Sequence, residues 1–246
     1  MKQDFPKIKP MGQRAILIEF EPEINEQLLQ KLLSVKDLVQ NFYIKEKVEV
    51  NNAYSSLLIN YTTIIEDVYG ELFELERLIK GAKIEKNITS KIYHLPVCYS
   101  KKSGLDLQLI SEQNQVSVEE IISRHTAPFY TVYFMGFLPG FLYLGGLDEK
   151  LHISRKEQPR MKIEKGAVGI GEKQTGIYPQ PSPGGWQIIG NCPVNFFDKN
   201  SLPPSRISSG DKVKFFAVSE EEFETVSREI EEGNYQLKVE DYHVEN

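Results

Sequence analysis

Eleven of the chain's 17 glycines fall between Pro128 and Phe197, a window that also holds its only tryptophan, Trp186. Glycine inside a helix or strand costs about 0.5–1 kcal/mol relative to alanine, so this density marks a backbone bent repeatedly around something. Between the glycines and prolines lie short β-rich runs at 130–134, 168–170, 187–189, 194–197 and 213–216. Many short strands divided by frequent turns predict a barrel or a sandwich.

The first 90 residues have a different texture. An apolar run at 15–20 is followed by Ile24, Leu28, Leu29, Leu32 and Leu33 at helical spacing. A second run at 56–61 precedes Ile64, Ile65, Val68, Leu72, Leu75, Leu78 and Ile79, again one helical face. Two strand–helix repeats predict a small ferredoxin-like α+β domain over 1–90. The polar stretch 81–90 has no periodicity and marks the boundary. A strand at 92–99 and a short helix at 106–113 open the second domain, 91–230. Ser117-Val118-Glu119-Glu120 and Ser219-Glu220-Glu221-Glu222 share a spacing in which the serine oxygen and the last glutamate satisfy unpaired amides of a first helical turn. They predict helices from Ser117 to about His125 and from Ser219 to about Ile230. The remaining 231–246 is an acidic C-terminal extension, either an ordered edge segment or a loose tail.

The formal net charge of −6 is unevenly spread. Residues 219–246 carry ten acidic and two basic side chains, whereas 150–173 carry seven basic and three acidic. An acidic chain without a long basic stripe argues against nucleic acid, and the local positive excess suits a small anion. No apolar run approaches the roughly 20 residues of a membrane helix, and MKQDFPKIKP contains no secretory apolar segment. The expected location is cytoplasmic, with no membrane partner. Cys98 and Cys192 stand alone and read as small buried hydrophobes, and no metal site is expected.

Self-sufficient catalytic motifs are missing. Gly166 to Gly171 has the glycine spacing of a phosphate loop, but Glu172-Lys173-Gln174 stands where such a loop needs Lys and Ser/Thr. Gln174 also occupies the place of the third glycine in a dinucleotide fingerprint. What the window offers instead is a set of binding side chains. Phe137, Phe141, Tyr143, Tyr178 and Trp186 can form apolar walls, and Arg155 and Arg160 can each grip a carboxylate or phosphate through two parallel hydrogen bonds. Gln174 and Thr175 can hydrogen-bond an amide. The competing reading makes the aromatics barrel filling and the arginines surface residues. His125, with an ordinary pKa of about 6.5, is either a catalytic proton carrier or a structural histidine at a helix end.

Three strings are more specific. They are Gly136-Phe137-Leu138-Pro139-Gly140-Phe141 with Leu144-Gly145-Gly146-Leu147, then Gly166-Ala167-Val168-Gly169-Ile170-Gly171, then Gln174-Thr175-Gly176-Ile177-Tyr178-Pro179 leading to Ser182-Pro183-Gly184-Gly185-Trp186. In this order and spacing they resemble the KipI-like family. Its members include the B-type subunit of prokaryotic 5-oxoprolinase, allophanate hydrolase subunit 1 domains, and an inhibitor of a sporulation histidine kinase. The resemblance implies a cyclophilin-like β-barrel for the second domain, which periodicity alone leaves open. It also implies a non-autonomous subunit of an ATP-dependent 5-oxoprolinase, turning 5-oxoproline, ATP and water into glutamate, ADP and phosphate. A KipA-like and a LamB/YcsF-like subunit would complete the enzyme, with ATP as cosubstrate of the assembled complex and no tightly bound cofactor. The alternative within the family is a regulatory inhibitor that binds a sensor histidine kinase. In the enzyme picture Arg155 or Arg160 holds the substrate carboxylate or a phosphate, and amides near Gly169 to Gly171 stabilise developing negative charge. The chain departs from the family at Gly104-Leu105-Asp106-Leu107, which lacks the usual proline but keeps the aspartate. It departs again at Asn191 and Cys192, where a basic residue and a threonine are usual.

Overall fold

Ile16 and Ile18 on one strand and Leu57 and Ile59 on its neighbour are fully buried, the alternation expected of a sheet with one covered face. They anchor the first of two compact units, 1–88 and 89–246, in the computed structural model, which describes residues 6–43, 48–81 and 90–242. This unit runs β1 (Lys7–Pro10), β2 (Ala15–Glu19), α1 (Glu26–Phe42), β3 (Val48–Asn52), β4 (Ser56–Tyr61) and α2 (Val68–Lys80). Its antiparallel sheet has the order β1-β2-β4-β3. The expected strand–helix repeats are β2–α1 and β4–α2. Short β1 and β3 add the edges, giving the four-strand ferredoxin-like sheet, with one edge supplied by the N-terminal hairpin. Asn25 and Asp67 cap the two helices, accepting from the amides of Leu28 and Gly70. Leu32, Val35, Val39 and Leu75 close the core from the helix side. The connector expected at 81–90 lies, apart from its two ends, outside the described residues.

The second unit begins with β5 (Ser90–Cys98), α3 (Leu107–Asn114) and α4 (Val118–Thr126). It continues through β6 (Tyr130–Met135), β7 (Leu142–Gly145), β8 (Arg160–Ile163), β9 (Ala167–Gly171), β10 (Gln174–Ile177), β11 (Ser182–Gly184), β12 (Gln187–Asn191) and β13 (Lys212–Val218). Seven of these strands close into a barrel in the order β12-β9-β10-β7-β6-β13-β5, the ring being completed by a β12–β5 pair. Leu95, Val97, Val132, Leu142, Leu144, Val168, Ile170, Ile189 and Val213 fill its interior. β8 and β11 form a separate two-stranded ribbon. Ser117 caps α4, and Ser219 with Glu222 makes the full reciprocal cap of α5 (Glu220–Glu231).

Within the acidic extension, residues 239–242 form an edge strand. β14 (Val239–Tyr242) pairs antiparallel with the first residues of β5, while Ile230, Tyr235 and Leu237 pack on the barrel core. Among the described residues no helix is long and apolar enough to cross a membrane.

Candidate functional site

A strand points successive side chains to opposite faces, and β10 does so across the barrel wall. Thr175 faces inward and is fully buried. Its hydroxyl lies 3.0 Å from His125 Nε2 and 3.0 Å from the Gly169 carbonyl, and the Tyr99 hydroxyl lies 2.7 Å from His125 Nδ1. One assignment satisfies every group. Tyr99 donates to Nδ1, the Nε2 proton goes to Thr175, and Thr175 donates to Gly169. His125 is 0% exposed and stacks on Phe215 with ring centroids 4.7 Å apart. Burial pushes its pKa down to about 3, so the ring is neutral at physiological pH.

Outside the same wall lies an aromatic layer. Phe141, Tyr178 and Trp186 are buried together with Ile163, Ala167 and Ile188. Phe141 meets Trp186 and Tyr178 edge-on at 5.4 and 5.1 Å, and Tyr143 stacks on Phe134 at 4.2 Å. Glycines clear the ground for the indole. A Cβ on Gly171 would sit 2.5 Å from Trp186 Nε1, and one on Gly176 would sit 3.0 Å from its ring and 2.6 Å from the Leu142 carbonyl. Burial pushes the Tyr178 phenol up to about 12, against the opposing pull of a Trp186 amide hydrogen bond and the charges of Arg155 and Arg160.

Gly169 and Gly171 therefore have a task that their spacing does not reveal. They belong to β9, where Gly169 sits between Gly176 of β10 and Ile188 of β12. Peptide groups engaged in a sheet ladder are not presented to a ligand. These glycines make room for Trp186.

Phe137 and Arg155 border the layer. Phe137 is 62% exposed at φ +64° and touches Phe141 edge-on at 5.7 Å. Ile153 pairs with Glu172 through two backbone hydrogen bonds of 3.3 and 2.8 Å, which carries the following residues over the β9–β10 hairpin. The Arg155 guanidinium consequently lies 5.8 Å from the Trp186 ring centre, and it forms no ion pair among the described residues. Gln174, opposite Gly171 in that hairpin, faces outward.

Arg160 is committed elsewhere. It makes two parallel hydrogen bonds of 2.8 and 2.7 Å to Asp106, which also accepts the Ile188 amide at 2.7 Å and lies 3.3 Å from Lys156 Nζ. Asp106 is 3% exposed. Burial alone would raise its pKa, but the hydrogen bonds from Arg160 and Ile188 and the charges of Arg160 and Lys156 hold it below the usual carboxylate range. Beside this cluster runs a groove of about 360 Å³ whose lining includes Lys102, Arg160, Lys162 and Phe223. A groove of about 540 Å³ between 194–207 and 230–237 contains none of the expected binding residues.

Residues 6–207 match the model of the carboxyltransferase domain, subdomain C and D. The chain belongs to that family. Within it, the chain is 36% identical over 236 residues to the 5-oxoprolinase B-type subunit of Bacillus subtilis, covering 91% of this chain and 97% of that one. It is 37% identical over 208 residues to the 5-oxoprolinase B-type subunit of Haemophilus influenzae, covering 85% and 96%. The urea carboxylase structure of Kluyveromyces lactis shares the fold at 21% identity with a TM-score of 0.81, over 96% of this chain and 24% of that one.

In this member of the carboxyltransferase C and D family, the expected wall residues Phe137, Tyr178 and Trp186 come together with Arg155 and Gln174 on the outer face. His125 and Thr175 lie on the inner face, and Arg160 is held by Asp106. Lys156 did not stand out in the sequence, and Asp106 did so only as a retained turn residue. The partnership of Asp106 with a residue 54 positions away leaves no sequence signal.

Proposed function

We propose that this chain is the B-type subunit of an ATP-dependent 5-oxoprolinase, working in the cytoplasm with a KipA-like and a LamB/YcsF-like subunit. The observation that carries this reading is the near end-to-end match, in both directions, to two proteins of that name. A lactam is a poor electrophile, and converting its carbonyl oxygen to a phosphate ester makes ring opening feasible, so coupling to ATP has a chemical reason. The glycine run is a β-strand rather than a phosphate-binding loop, which supports placing the nucleotide on a companion subunit.

The outer face supplies the substrate contacts in this reading. Arg155, without an ion pair among the described residues and held over Trp186, takes the carboxylate of 5-oxoproline. Trp186, Tyr178 and Phe137 give the ring an apolar surface. Arg160 fixes Asp106 and with it the start of α3 and β12. His125 keeps β10 in place from inside and moves no proton.

The test is reconstitution. The purified chain alone is expected to show no 5-oxoproline-dependent ATPase activity, and activity is expected when both companion subunits are added. A complete set that leaves 5-oxoproline unhydrolysed refutes the assignment.

A further inference from the structure

We infer that Gln174 is the residue by which this site tells a lactam from its ring-oxygen counterpart, its Oε1 accepting the substrate's ring N–H. This rests on the 5-oxoprolinase reading. The starting observation is that Gln174 Oε1 is buried without a hydrogen-bond partner among the described residues. Native folds keep few such acceptors, because water's hydrogen bonds have been surrendered and nothing replaces them. A ligand donor supplies the missing bond.

The surroundings define that ligand. Gln174 is opposite Gly171 and one outward position before Gly176, the two glycines on which the Trp186 indole rests. The Ile153–Glu172 pair brings the strap bearing Arg155 over the same hairpin. The orphaned acceptor thus sits on the strand face that carries the indole, and the Arg155 guanidinium, without an ion pair among the described residues, lies 5.8 Å from the indole ring centre. In 5-oxoproline the ring N–H and the carboxylate-bearing carbon are adjacent ring atoms. The N–H meets Gln174 and the carboxylate meets Arg155, while the lactam carbonyl, on the ring atom at the other side of the N–H, is left for a companion subunit to engage. Thr175 cannot share this work, since its hydroxyl is spent inside the barrel on His125 and Gly169.

A site built around an N–H donor rejects an analogue lacking it, because the buried acceptor is then left unpaired. The sole tryptophan, Trp186, is a built-in reporter. Its fluorescence is titrated with 5-oxoproline and with 5-oxotetrahydrofuran-2-carboxylate, using the full chain alone and in the assembled set. Wild type is expected to prefer the lactam at least tenfold in Kd. Gln174→Met is expected to weaken 5-oxoproline at least tenfold while changing the ring-oxygen analogue less than twofold. Gln174→Glu, which retains an acceptor, is expected to preserve the ratio. Equal wild-type affinities for the two compounds in both preparations, or a ratio that survives Gln174→Met, overturns the inference. Binding needs no ATP turnover, so a lactam preference in an inactive reconstituted set sinks only the assignment of activity. Turnover with a selectivity ratio unchanged by Gln174→Met sinks only the role of Gln174.

Discussion

Gln174 and Thr175 are neighbours in sequence and opposites in environment. On the inner face, Thr175 joins Tyr99, His125 and Gly169 in a network with every polar group engaged. On the outer face, Gln174 keeps an acceptor without a partner among the described residues, and Arg155, near the Trp186 ring, has no acidic partner among them. A saturated network specifies structure, whereas unspent hydrogen-bonding capacity is what a binding surface needs. On the proposed reading, the difference between the two faces separates scaffold from site within a single strand.

Four substitutions can break or sharpen this contrast. Arg160→Ala strips the buried Asp106 of its bidentate partner and should cost about 3–5 kcal/mol, read from urea unfolding. A loss below about 1 kcal/mol would move Arg160 from scaffold to site. His125→Phe leaves the Tyr99 and Thr175 hydroxyls short of a partner and should cost about 2 kcal/mol.

The histidine also predicts a pH dependence. Its folded pKa is lowered, so its contribution is complete above the unfolded value of about 6.5 and is lost as pH falls toward about 3. Stability should decline through that window by up to about 1.4 kcal/mol per pH unit, and His125→Phe should lack this component. Equal slopes for the two proteins, measured by thermal melts from pH 7 to 4, would contradict a buried neutral ring.

Gly171→Ala, which pushes a methyl against the indole, should destabilise by about 1–3 kcal/mol and shift the Trp186 emission. Arg155→Ala should change stability by no more than about 0.5 kcal/mol. In the assembled enzyme it should raise KM for 5-oxoproline at least tenfold. An unaltered KM would return Arg155 to the scaffold.

Local signals in the chain proved readable where local physics decides. The serine caps at Ser117 and Ser219 and the helical stripes from Leu28 in α1 and from Val68 in α2 appear in the structure, whereas Ile24, Ile64 and Ile65 precede the helices. β1 and β3 escaped notice because short edge strands such as KIKP and VEVNN bury little and carry polar residues that blur the alternation. The site residues were legible as a set of types, since aromatics, arginines and glycines crowd one window. Their faces were not, because an inside or outside position depends on register, which glycine-rich segments specify weakly. The commitment of Arg160 to Asp106 was invisible for a further reason: side chains 54 residues apart meet only after the barrel has closed.

The β12–β5 pair that completes the ring rests on one residue couple, Asn191 with Cys98. Just before it, Gly190 passes so near the neighbouring strand that a Cβ would stand 2.7 Å from Val97 Cγ1 and 2.8 Å from the Cys98 carbonyl oxygen. A single methyl group at this point would wedge the seam apart, so the cylinder owes its continuity to one missing carbon atom.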